Sequence, residues 1–63
     1  MNVEEYYPNG VLKGKGPTLR DQKHGFWTYF HPDGITIQFI GVYFYDKKEN
    51  KWIEYFTDGR KAN

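Results

Sequence analysis

The chain has 63 residues and a mass of 7.6 kDa, which is one domain with a thin core, because a chain of about 60 residues buries only about 60% of its unfolded surface. It contains no cysteine, which excludes a disulfide framework, a thiolate nucleophile and a Cys-based zinc site. A formal charge of +1 speaks against a dedicated polyanion binder, and no apolar run approaches the roughly 18 residues of a membrane span or forms a signal-peptide core, so a soluble, cytoplasmic protein is expected.

In chain order, aromatic and β-branched residues predict strands over 3–7, 26–31, 35–40, 42–45 and 51–56. The dipeptides Asn9-Gly10, Asp33-Gly34 and Asp58-Gly59 are hairpin signals, read as type I′ turns in which both central residues take positive φ. Polar connectors are expected over 16–24 and 46–50. Residues 10–18, Gly-Val-Leu-Lys-Gly-Lys-Gly-Pro-Thr, resemble a phosphate-binding loop only superficially. Three residues rather than four precede the Gly-Lys pair, Gly16 stands where Ser or Thr is needed, and a proline occupies the start of the required helix. The segment reads instead as a strand running into a Gly-rich connector. No window carries a helical apolar period. The fold class is therefore all-β: an antiparallel meander of five or six strands in a single domain, 1–63.

The chain is internally repetitive. The ten residues ending at Gly34 (Gly-Phe-Trp-Thr-Tyr-Phe-His-Pro-Asp-Gly) align with the ten ending at Gly59 (Asn-Lys-Trp-Ile-Glu-Tyr-Phe-Thr-Asp-Gly) at an offset of 25, Trp27 on Trp52 and Phe30 on Tyr55. The segment ending at Gly10 aligns at an offset of 24, with Val3 at the tryptophan position. About two and a half units thus end at Gly10, Gly34 and Gly59.

This pattern, Gly-x-Trp-x-x-aromatic-x-x-(Asp/Asn)-Gly, resembles the bacterial variant of the MORN repeat. It departs from the motif at Asn50, which stands where the first Gly belongs. The resemblance implies stacked hairpins in an elongated twisted sheet that serves as a scaffold or binding surface. It further implies an antitoxin-like role for a member this short.

Nothing in the sequence assembles a catalytic, metal or cofactor site. His24 falls in a connector, and His31 aligns with Tyr7 and Phe56, so it reads as a half-buried ring. Asn9, Asp33 and Asp58 are turn formers, and Glu5 and Glu54 are solvated strand residues. The rings carry more information. Aromatics are 21% of the chain at a mean hydropathy of −0.89, so Trp27 and Trp52 are expected in the core. Thirteen aromatics exceed what one sheet face hides, and Tyr7, Phe26, Tyr29, Tyr43, Tyr45 and Phe56 are candidates for partner contact. The one charge asymmetry is Lys13, Lys15, Arg20 and Lys23 against Asp21, a candidate contact for nucleic acid or an acidic partner.

The function expected is binding without catalysis: a module that neutralises or inhibits a partner protein, as an antitoxin or a phage or mobile-element inhibitor does. The alternative is a nucleic-acid-binding module using the basic segment 13–23 and neighbouring rings. Edge strands lead to a further expectation. Glu4, Glu5 and Pro8 guard the first strand, whereas the strand over 51–56 has only four residues after Gly59 to cover it. A homodimer, or an obligate partner that adds to that edge or covers the aromatic face, is expected.

Overall fold

The computed structural model describes residues 1–62, apart from the side chain of Asn50; the motif departure at Asn50 and the C-terminal Asn63 lie outside the described residues. Among the described residues there are six strands: β1 (Asn2–Tyr6), β2 (Leu12–Leu19), β3 (Gln22–Lys23), β4 (Gly25–Phe30), β5 (Ile37–Phe44) and β6 (Lys47–Glu54). They pair in the order β1-β2-β4-β5-β6, all antiparallel, with β3 continuing β4 along the far end of β2. The all-β meander expected from the sequence is what forms. Among the described residues there is no helix long and apolar enough to cross a membrane.

Two kinds of turn alternate along the chain. The first contains the sequence signals at Asn9-Gly10, Asp33-Gly34 and Asp58-Gly59. Gly10, Gly34 and Gly59 take φ of 87°, 72° and 90°, but the residues before them do not enter the left-handed region. Each turn is closed by the glycine N–H donating to the carbonyl three residues back, on Tyr7, His31 and Phe56 at 2.9 Å. The expected type I′ geometry is therefore replaced by a right-handed turn ending in a left-handed glycine. The Asn or Asp side chain supplies the reason: its Oδ1 accepts from the backbone N–H two residues on, at Val11, Ile35 and Arg60. In the outer pair of these loops the strand hydrogen bond spans four residues, Tyr7 to Val11 and Phe56 to Arg60. In the middle loop it spans five, His31 to Thr36. That extra residue explains why the first offset is 24 and the second 25.

The second kind of turn lies inside the segments expected to be connectors. Arg20-Asp21 (φ 53° and 65°) and Tyr45-Asp46 (φ 48° and 70°) carry paired left-handed residues without glycine, again 25 apart. The connectors over 16–24 and 46–50 are thus corrected: residues 16–19 complete β2, and β6 begins at Lys47. The strands expected over 35–40 and 42–45 are one strand, β5. Gly41 does not break it, because Gly41 pairs with Trp27 and makes room for Trp52. After Gly59 the chain folds back on the end of β6, through the Tyr55–Lys61 bridge and the Ala62 N–H to the Glu54 carbonyl at 2.7 Å. The last residues therefore cover the end of that edge.

Strand register sorts the side chains into two faces. One face carries the cross-strand row Glu5, Gly14, Tyr29, Phe39, Glu54, with Val3, Gly16, Trp27 and Gly41 beside it. The other carries the row Glu4, Lys15, Thr28, Ile40, Ile53, with Phe26 paired to Val42. The sheet is a single layer of 35 × 28 × 14 Å. Its core lies on the first face, where Trp27 is fully buried and Tyr43 nearly so.

Candidate functional site

On the first face, glycines in one strand make beds for large rings from the next. Trp27 lies against Gly16 and Trp52 against Gly41, so close that a Cβ on either glycine would collide with the indole. Trp27 stacks on Tyr29 with centroids 5.8 Å apart and meets Tyr43 edge-on at 5.9 Å. Trp52 meets Tyr43 at 4.9 Å and Tyr29 at 6.0 Å. The Tyr29 and Tyr43 hydroxyls are 3.2 Å apart. Trp27 is the buried centre of this cluster, while Tyr29, Tyr43 and Trp52 form the floor of an open groove of about 340 Å³.

Lysines stand over that floor. The Lys23 ammonium lies 5.1 Å from the Trp27 ring, 5.6 Å from Tyr29 and 5.2 Å from Tyr43, within cation–π range. It donates to the Tyr29 hydroxyl at 3.0 Å and pairs with Glu5 at 3.1 Å. Partial burial by itself would lower the pKa of Lys23, but the hydrogen bonds to Tyr29 and Glu5 outweigh it and hold the group above the ordinary lysine value. Burial, with the Tyr29 hydrogen bond second, raises the Tyr43 phenol. Lys48 lies 5.1 Å over Trp52 and 5.6 Å over Phe39. Lys13 and Gln38 complete the lining. Three lysines and one lining carboxylate, itself paired with Lys23, leave the groove with an excess of positive charge.

The candidate contact residues fall in different places. Tyr29 and Tyr43 belong to the groove floor. Tyr7 is half-buried, and its hydroxyl donates to the Phe30 carbonyl at 2.7 Å. His31, one unit later, uses Nε2 on the Tyr55 carbonyl at 2.9 Å. The residue at this position thus ties its loop to the next unit, and His31 is the half-buried ring that the alignment implies. Phe56, the third copy, is 51% exposed; Phe26 (58%) and Tyr45 (37%) are also open to solvent, with Tyr45 packed on His24 and Phe44. The basic residues do not converge. Lys13 and Lys23 line the groove, Lys15 stands 6.0 Å over Phe30, and Arg20 sits in the β2–β3 turn. Among the described residues no three His, Asp or Glu side chains gather as a metal site.

The local sequence does not single out Lys48, Phe39 or Phe44. Lys48 falls in the segment 46–50 expected to be a connector; its signal is the register, since it lies across from Tyr43. No family model, curated protein or solved structure matches this chain.

Proposed function

We propose that this chain is a non-enzymatic binding module of MORN-like type that grips an acidic segment of a partner protein in the lysine-topped aromatic groove. A neutralising protein of antitoxin or inhibitor kind would act in this way. The observation that carries the reading is the position of Lys23 over the groove rings Tyr29 and Tyr43 and of Lys48 over Trp52. Those faces are where nucleobases would stack, and the protein's own ammonium groups occupy them. The same lysines offer charge to carboxylates, while the rings supply the rigid apolar contact typical of protein hot spots. The scatter of Lys15 and Arg20 away from the groove further disfavours a tracked phosphate backbone.

Tryptophan fluorescence tests the choice. Titration with an Asp/Glu-rich peptide is expected to give a saturable change in Trp52 emission that Lys48→Glu abolishes. Saturable quenching by oligothymidylate with a steep salt dependence, and no response to the peptide, would give the site to nucleic acid instead.

A further inference from the structure

Lysine, tryptophan and glycine recur together at one offset. Lys48 stands 25 residues after Lys23, as Trp52 does after Trp27 and Gly41 after Gly16. In both units the indole lies on its glycine, and in both the ammonium stands 5.1 Å from the ring. The copies differ in what meets the lysine. In the first, the Glu5 carboxylate pairs with Lys23 at 3.1 Å, and the Tyr29 hydroxyl accepts from it at 3.0 Å. Gly14 leaves room for this meeting: it lies between Glu5 and Tyr29 in the cross-strand row, and a side chain there would collide with the Tyr29 ring. In the second copy the corresponding places hold Tyr29, Phe39 and Glu54. The Tyr29 hydroxyl is already engaged by Lys23 and Tyr43. Phe39 puts a ring where Gly14 leaves space, and Lys48 lies over that ring at 5.6 Å. Among the described residues no carboxylate lies within ion-pair distance of Lys48.

We propose that Lys48, over the Trp52 ring, binds one carboxylate of a partner's Glu or Asp side chain, which takes the part that Glu5 plays for Lys23. This inference rests on the groove reading and narrows it to one charged contact. The first copy is the template: an ammonium held over a tryptophan face by this fold still takes a carboxylate at hydrogen-bond distance. Lys23 itself is not the receiving group. Two of its three N–H donors are used by Glu5 and Tyr29, and its ammonium is ringed by Trp27, Tyr29 and Tyr43. Lys48 has the same aromatic support without the internal carboxylate, so a carboxylate that enters the groove meets it without displacing another. The Glu5–Lys23 pair thereby sets the specificity of the groove, because it neutralises one lysine and leaves its repeat partner to the ligand.

Side-chain NMR of isotopically labelled protein, titrated with an Asp/Glu-rich peptide, tests the assignment. The Lys48 Cε resonance is expected to move and saturate, while the Glu5 carboxyl carbon stays in place. Lys48→Met, which keeps the length and removes the charge, is expected to weaken the peptide more than about tenfold, and Lys48→Arg to keep most of the affinity. Glu5→Gln makes the first copy resemble the second and is expected to tighten the peptide about twofold to fivefold. Glu4→Gln changes the charge equally on the opposite face and is expected to leave the affinity as it is. Near-ultraviolet circular dichroism of Trp27 reports whether each variant stays folded. A peptide that moves the Glu5 carboxyl carbon and leaves Lys48 in place would overturn the assignment to Lys48 while the groove reading stands. So would a folded Glu5→Gln variant that binds no tighter than Glu4→Gln. A peptide that moves no groove resonance would overturn both.

Discussion

The indole of Trp27 lies flat against Gly16, and its N–H donates to the neighbouring carbonyl of Pro17 at 2.8 Å. Twenty-five residues on, Trp52 repeats the arrangement on Gly41, with its N–H donating to Val42 at 3.2 Å. Ring, bed and acceptor recur as a set, so the repeat is a packing unit and not only a sequence pattern. A methyl group on either glycine must displace the ring. Gly16→Ala is expected to destabilise by about 1–3 kcal/mol and Gly41→Ala by less, because the half-buried Trp52 has space to move. Urea denaturation of the two variants measures the difference; equal stability to wild type at Gly16 would contradict the packing.

The two tryptophans should also separate from each other. Trp27 is fully buried, so Trp27→Ala is expected to cost about 3–5 kcal/mol, enough to unfold a small domain. Trp52→Ala removes a half-buried ring and is expected to cost less while abolishing peptide binding in the groove. Thermal melts followed by circular dichroism check the ranking. A larger loss at Trp52 than at Trp27 would invert the assignment of core and groove.

Much of this fold was legible because the information is local and repeated. The Trp-to-Gly spacing marks the strands β4 and β6 and the glycine turns that follow them. The Arg20-Asp21 and Tyr45-Asp46 turns were not legible, since residues without glycine rarely take two successive left-handed conformations. Gly14 and Gly16 misled for a physical reason. Glycine normally weakens a strand, but here its missing side chain is the space that the neighbouring ring fills. Tyr29 and Tyr43 illustrate the limit for the site: composition marked them as contact rings, whereas only strand register shows that they form the floor beneath Lys23.

Gly34 tests the turn. Its φ is 72°, and a Cβ there would strike the Val11 side chain. Gly34→Val is expected to destabilise by about 1 kcal/mol or more, from backbone strain and collision together. Gly10→Val shares the strain without the collision and should cost less. Chemical denaturation of both variants distinguishes them, and an unperturbed Gly34→Val would mean that the loop is assigned the wrong conformation.

The same loop gives a pH-dependent signature. The Asp33 carboxylate accepts from the Thr36 hydroxyl at 2.6 Å and from the N–H groups of Ile35 and Thr36 at 2.9 and 2.8 Å. These bonds, the Thr36 hydroxyl foremost, lower its pKa from 3.8 to about 2. A depressed folded-state value means that the contribution to stability is complete above the unfolded value and disappears as pH falls through the folded one. The loop is therefore expected to loosen between about pH 4 and pH 2. Carboxyl carbon resonances followed by NMR should titrate near pH 2 for Asp33 and move upward in Thr36→Val. A midpoint at the ordinary value in the wild type would remove the Asp33–Thr36 contact from the account.

The most direct test of the groove uses the two indole N–H resonances, which report on separate places in one spectrum. With an Asp/Glu-rich peptide added to isotopically labelled protein, the Trp52 indole and the amides of Lys13, Lys23 and Lys48 should shift together and saturate. The Trp27 indole, sealed beneath its neighbours, and the amides of Phe26 and Phe44 on the opposite face should stay in place. Shifts centred on Phe26 and Phe44, or a peptide that moves no groove resonance, would contradict the assignment of the lysine-topped rings as the binding site.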